Sequence, residues 1–126
     1  MTRNCVKKVL VVDDSQSIRN EVSDALAPAG FNVLQAADAN EAFACLARHQ
    51  DISMVVLDVN MPGMSGIDVL ERIRQNLAEQ DLPVLMLTTE AERSLVDRAK
   101  KAGAKGWLLK PVKAPLLVST VTRLAR

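Results

Sequence analysis

Residues 9–20 read VLVVDDSQSIRN. Four consecutive aliphatic residues run straight into two adjacent carboxylates, and a segment with helical spacing follows. An unbroken aliphatic run has no water-facing side, so it reads as a strand covered on both faces. Aspartate is a poor strand former, and neighbouring carboxylates repel each other. Asp13 and Asp14 therefore mark where a buried strand ends, and the chain must supply something for them to hold.

The same pattern recurs along the chain. Short runs rich in branched residues at 8–12, 31–35, 52–57, 84–87 and 107–109 read as buried strands. Helical spacing separates them. Ile18, Val22, Ala25 and Leu26 share one face, and Pro28 with Gly30 closes that helix. Asp38 and Glu41 have the spacing of a capping box ahead of a helix over 41–48, and Ser65 with Asp68 repeats it before Ile67, Leu70, Ile73 and Leu77. A fourth helix is expected over 91–101 with Gly103 as its stop, and a fifth from about Pro115, carrying Leu116, Leu117, Val121 and Leu124. Five strand–helix repeats with doubly buried strands predict an α/β fold: a five-stranded parallel sheet with helices on both faces, doubly wound through right-handed crossovers.

The 126 residues are the length of one domain, able to bury roughly two-thirds of the unfolded surface, and 48% of them are apolar. A net charge of +1 gives no reason to expect broad binding to nucleic acid or acidic membranes. No apolar run approaches the ~18 residues of a bilayer span, and the first residues do not have the pattern of a signal peptide. Cys5 and Cys45 lack metal-type spacing and read as reduced thiols of a cytoplasmic protein.

Chemistry gathers at the strand ends. Asp13 and Asp14 follow the first strand, Asp58 the third, Thr88 the fourth and Lys110 the fifth. Ligands of open parallel sheets bind outside the carboxyl ends of the strands, where the strand order reverses. A single Asp after a strand is ordinarily a turn former or helix cap, as Asp38 is, and a single Lys-Pro is ordinarily a turn. Four strand ends delivering three carboxylates, a hydroxyl and an ammonium to one place is a different matter. Two carboxylates ~4 Å apart repel by roughly 4 kcal/mol at an effective dielectric of 20. Lys110 offsets one charge, and a hard divalent cation such as Mg²⁺ suits the rest, since it binds through one or two carboxylates and keeps waters that a phosphate can displace. A carboxylate beside Mg²⁺, with Thr and Lys opposite, is equipped to attack phosphorus and form an acyl phosphate.

The segments VVDDS, VVLDVNMPGMSG, VLMLTTE and GWLLKP, in this order, resemble the receiver domain of bacterial two-component response regulators, in its single-domain chemotaxis (CheY-like) form. The resemblance spans essentially the whole chain and implies one receiver domain over 1–126 with no output domain, a flavodoxin-like (βα)5 fold and strand order 2-1-3-4-5. It implies that Asp58 is the phosphoacceptor, served by a histidine kinase with Mg²⁺ as cofactor. Asp14 corresponds to the direct metal ligand, Asp13 to its water-mediated partner, and Asn60 to the backbone carbonyl that completes the metal's protein ligands. Thr88 and Lys110 correspond to the pair that grips the phosphoryl oxygens, with a cis bond between Lys110 and Pro111. Thr88 and an aromatic residue, here Trp107, form the family's switch, and the face of the fourth helix, fifth strand and fifth helix is its output surface, including Arg93 and Lys113. Many relatives carry Tyr or Phe where this chain has Trp107, and the bulkier indole hinders an inward turn.

Asn60 and Glu90 occupy the positions that tune how readily water attacks the acyl phosphate, which predicts a short-lived phosphorylated state. The resemblance implies a protein target such as a flagellar motor switch or another effector, with no nucleic acid or membrane insertion, and a monomer or weak phosphorylation-dependent dimer. The chain promotes only its own phosphorylation and dephosphorylation and is not otherwise an enzyme. Two alternatives stand beside this: a shuttle or phosphate sink in a relay outside chemotaxis, and a Mg²⁺-dependent phosphatase of the haloacid dehalogenase type. The latter needs a second Asp two residues past the nucleophile, where this chain has Asn60. His49, Met61, Met64, Gly63, Lys100, Lys101 and Lys105 read as helix-end, turn and solvated residues.

Overall fold

The computed structural model describes residues 6–76, 80–89 and 93–126. Five parallel strands, β1 (Lys8–Val12), β2 (Asn32–Ala36), β3 (Ile52–Asp58), β4 (Val84–Thr88) and β5 (Gly106–Leu109), form one sheet in the order β2-β1-β3-β4-β5. Helices α1 (Gln16–Leu26), α2 (Ala39–Arg48), α3 (Gly66–Gln75), α4 (Arg93–Lys101) and α5 (Ala114–Leu124) alternate with them. The doubly wound α/β architecture is the one expected from the strand–helix alternation.

Period-two alternation of strand side chains splits the core in two. Leu10, Val12, Val55, Leu57, Val84 and Met86 join Leu46, Ile67, Leu70 and Ile73 beneath α2, α3 and α4. Val9, Val11, Met54, Val56, Leu85 and Leu87 join Val22, Leu26, Leu117 and Val121 beneath α1 and α5. Every residue of β3 is buried. Each fully buried Leu stabilises the fold by about 2 kcal/mol, so the buried central strands give a site at their ends a well-packed base.

Local signals set the helix ends. The side chains of Ser15, Asp38 and Ser65 accept hydrogen bonds from the backbone N–H groups of Ile18, Glu41 and Asp68. The Glu41 carboxylate in turn accepts from the N–H of Ala37 at 3.0 Å. After α1 a short 3₁₀ turn, Ala27–Ala29, leads to Gly30 at φ 98°, a left-handed conformation that lets the chain reverse into β2.

Boundaries shift by one or two residues from those expected. β2 starts at Asn32 rather than 31, because the N–H of Phe31 donates to the carbonyl of Leu26. It runs on to Ala36, which pairs with Val12. α2 opens at Ala39 directly after its cap, and α5 at Ala114 with Pro115 in its first turn. Asp58 and Thr88 are the last residues of their strands rather than the first of the loops. The expected start of α4 at 91, the core role of Leu77, and Cys5 and Glu90 lie outside the described residues.

Candidate functional site

Sheet register assembles the site. Val12 pairs with Leu57, so Asp13 and Asp58 come next to each other at the carboxyl edge. Asp58 pairs with Leu87 and Thr88 with Leu109, which places Thr88 and then Lys110 one strand further each time. Backbone hydrogen bonds continue past the strands and fix this edge: Asp13 N–H to the Ala36 carbonyl, Val59 N–H to that of Leu87, and Lys110 N–H to that of Thr88. The Lys110–Pro111 bond is cis, as the resemblance implies.

The Lys110 ammonium donates to Asp13 Oδ2 at 2.8 Å and to Asp58 Oδ1 at 3.1 Å. Asp13 is 1% exposed and Asp58 2%, so this is a buried bridge between two strands. Each acid also accepts from the backbone two residues on: Asp13 Oδ1 from Ser15 N–H at 2.9 Å, and Asp58 Oδ1 from Asn60 N–H at 3.2 Å. Asp14 is exposed, yet one oxygen each from Asp13, Asp14 and Asp58 lie within 4.8 Å of one another. Thr88 is fully buried, and its hydroxyl accepts from Asn60 Nδ2 at 3.3 Å.

Electrostatics shows what this arrangement lacks. Burial raises the Asp58 carboxyl above its ordinary value; hydrogen bonding to Lys110 opposes that, and the Asp13 charge adds to it. Burial alone would lower Lys110, but its hydrogen bonds to Asp13 and Asp58 outweigh this and raise it. The lysine is thus held firmly charged while Asp58 remains under-neutralised. Three carboxylates against one ammonium leave an excess of two negative charges. Hard oxygen donors converging with that excess fit Mg²⁺, with Asp13, Asp14 and Asp58 as the carboxylates in reach.

Asp13, Asp14, Asp58, Asn60, Thr88 and Lys110 thus lie together at the carboxyl edge of the sheet. Trp107 lies three residues before Lys110 on β5, opposite Met86. It is half-buried against the α2–α4 side of the core, lining a cavity of about 80 Å³ with Val96, Ala99 and Lys100. Its indole N–H is buried without a partner. Arg93 and Lys113 are exposed, at the first position of α4 and the N-cap of α5. His49 caps the end of α2, and Lys100, Lys101 and Lys105 are exposed. Burial pushes the half-buried Cys45 thiol up, which keeps it protonated.

Sequence reasoning missed the supports of the acid loop. Ser15 could have been found, since it stands three residues before Ile18 at a helix start. Arg19, whose Nη1 donates to the Asp13 carbonyl at 2.7 Å, carries no local signal.

The sequence profile of the response regulator receiver domain matches residues 9–122. The chain is 42% identical over 110 residues to chemotaxis protein CheY-3 of Vibrio cholerae, covering 87% of this chain and 85% of that protein. With chemotaxis protein CheY of Pseudomonas aeruginosa it is 36% identical over 118 residues, covering 93% and 94%. Among solved structures, CheY4 of Vibrio cholerae superposes with a TM-score of 0.90 at 40% identity, over 95% of this chain and 99% of that one. The CheX–CheY–BeF3–Mg²⁺ complex of Borrelia burgdorferi matches with a TM-score of 0.86 at 30% identity, covering 93% and 87%. A sheet wound in the order 2-1-3-4-5, an acid cluster at its carboxyl edge and this extent of likeness lead to one conclusion: the chain belongs to the response regulator receiver domain family.

Proposed function

We propose that the chain is a phosphorylation-activated switch of two-component signalling, of the chemotaxis type, in which Asp58 accepts a phosphoryl group from a histidine kinase. The observation that carries this is the bridge from Lys110 to Asp58, 3.1 Å long and buried, at the centre of an under-neutralised acid cluster.

An Asp58 carboxylate oxygen attacks phosphorus. The new O–P bond forms as the P–N bond of the donor phosphohistidine breaks, and the electron pair returns to the imidazole. Lys110 is already at hydrogen-bond distance from the attacking group and offsets charge on the phosphoryl oxygens, and the Thr88 hydroxyl donates to one of them once it has turned. The carboxylates of Asp13, Asp14 and Asp58, with the backbone carbonyl of Asn60, would hold Mg²⁺, which when bound would supply charge to neutralise the phosphoryl oxygens. The resting Thr88 hydroxyl accepts from Asn60, so turning towards a phosphoryl group exchanges that hydrogen bond for another. Its movement is the trigger, and Trp107 answers it at the face of α4, β5 and α5, where Arg93 and Lys113 meet the partner. The buried, unpartnered indole N–H favours a Trp107 that changes its surroundings on activation.

The target is a protein such as a flagellar motor switch or another effector, met in the cytoplasm by a single receiver domain that is monomeric or dimerises weakly when phosphorylated. The Borrelia relative, solved with CheX in its beryllofluoride and Mg²⁺ form, supports a partner that reads the activated state. The chain acts on its own phosphate alone. Asn60 stands where a haloacid dehalogenase-type phosphatase needs an acid, and its amide cannot donate and retrieve the proton. With Asn60 and Glu90 able to orient water, the phosphorylated state is short-lived; replacing both by apolar residues lengthens its lifetime several-fold. The test is beryllofluoride with Mg²⁺, which should move the amide resonances of α4, β5 and α5 in the parent and not in Asp58→Ala. Steady turnover of phosphomonoesters would contradict the switch.

A further inference from the structure

Asp14 is the exposed member of the acid cluster, and no hydrogen bond to its carboxylate holds it among the described residues. What holds it is the backbone beneath. The peptide joining Asp13 to Asp14 leaves β1 just past its last paired residue, so its carbonyl has no ladder partner. Arg19 supplies one from the first turn and a half of α1: Nη1 donates to the Asp13 carbonyl at 2.7 Å, the shortest contact in the loop. Its Nε donates to Gln35 Oε1 at 3.1 Å on β2. Gln35 Nε2 is itself anchored on Ser23 Oγ of α1 at 3.0 Å. A rigid guanidinium fork thus spans from the edge strand to the loop of acids, with both prongs engaged.

We propose that Arg19, steadied by Gln35, is a positioning residue for the metal site: it fixes the plane of the Asp13–Asp14 peptide and so aims the exposed Asp14 carboxylate at the cluster. The inference rests on the reading of that cluster as a Mg²⁺ site. Asp13 needs no such help, because Lys110 and the Ser15 N–H already hold its carboxylate. The fork's work therefore falls on Asp14.

Mg²⁺ titration by calorimetry tests this, with metal-free melting and the amide resonances of residues 13–15 followed alongside. Arg19→Met should lose about tenfold in Mg²⁺ affinity, the usual range for groups that orient ligands from behind. Gln35→Leu should lose affinity too, by less than Arg19→Met, because it removes only the support behind the fork. Arg19→Lys keeps the charge but cannot serve both acceptors, so it should bind as weakly as Arg19→Met. Parent-like affinity in Arg19→Met overturns the clamp. Parent-like affinity in Arg19→Lys shows that a single donor suffices without the fork and overturns it equally. Should Arg19→Met fail to fold without metal, Gln35→Leu decides, and an unchanged affinity there overturns the proposal. Asp14→Asn is the control for the underlying reading: if it binds Mg²⁺ like the parent, the site itself is misassigned, whereas loss there with parent-like Arg19→Met defeats the clamp alone.

Discussion

Lys110 places its ammonium 2.8 Å from Asp13 and 3.1 Å from Asp58, so that one cation from β5's end bridges acids from β1 and β3. Removing one partner of a buried ion pair leaves the other charge without compensation. Lys110→Met should therefore destabilise the metal-free protein by about 3 kcal/mol, measured by urea unfolding at neutral pH. Mg²⁺ should restore part of the loss, since it compensates the same carboxylates.

Asp58 gives the pH dependence. Its carboxyl is raised above the ordinary 3.8, chiefly by burial. A carboxyl that binds its proton more tightly folded than unfolded favours the fold fully below the unfolded value. That contribution is lost as pH rises through the raised folded value. Asp58→Asn cannot titrate, so its stability relative to the parent, without metal, should grow as pH rises from about 4 to about 7. Melting curves across that range check it; a difference that shrinks with rising pH would contradict the burial argument.

Asp14 is exposed, so its charge costs little in isolation, but its oxygen stands within 4.8 Å of two others. Asp14→Asn should melt slightly higher than the parent without metal and lose most of the stabilisation that Mg²⁺ confers. Melts with and without Mg²⁺ read both effects.

Gly66 begins α3 against the end of β3. A Cβ there would collide with the Asp58 carbonyl and lie 2.9 Å from Val59 Cα, both backbone atoms that cannot swing aside. The N–H of Gly66 also donates to the Val59 carbonyl at 2.9 Å. Gly66→Ala should cost about 2–3 kcal/mol and displace Asp58 from the ammonium. Denaturant unfolding gives the first, and the yield of phosphorylated protein should fall with it.

How legible all this is in the sequence depends on the distance over which each signal acts. Five aliphatic runs and their helices are visible because burial on both faces leaves no alternation, and the acids stand out because they end those runs. Asp38 and Ser65 announce their helices through contacts three residues long. Register is a different matter: whether Phe31 or Ala36 belongs to β2 is decided by a hydrogen bond back to Leu26 and pairing with Val12. The clamp of Arg19 and Gln35 joins residues sixteen apart, through side chains that in a linear reading look like ordinary solvated polar groups. The buried indole N–H of Trp107 has no sequence signature at all, since nothing in GWLLKP says which way the ring lies.

In the proposed switch the crowded carboxylates serve the one at position 58, which takes up phosphate. Intact-mass measurement and peptide mapping after exposure to acetyl phosphate and Mg²⁺ test this. One phosphoryl group mapped to Asp58, absent without Mg²⁺ and absent from Asp58→Asn, is the predicted result. A protein that stays unmodified, or carries phosphate on another residue while Asp58 remains free, would contradict it.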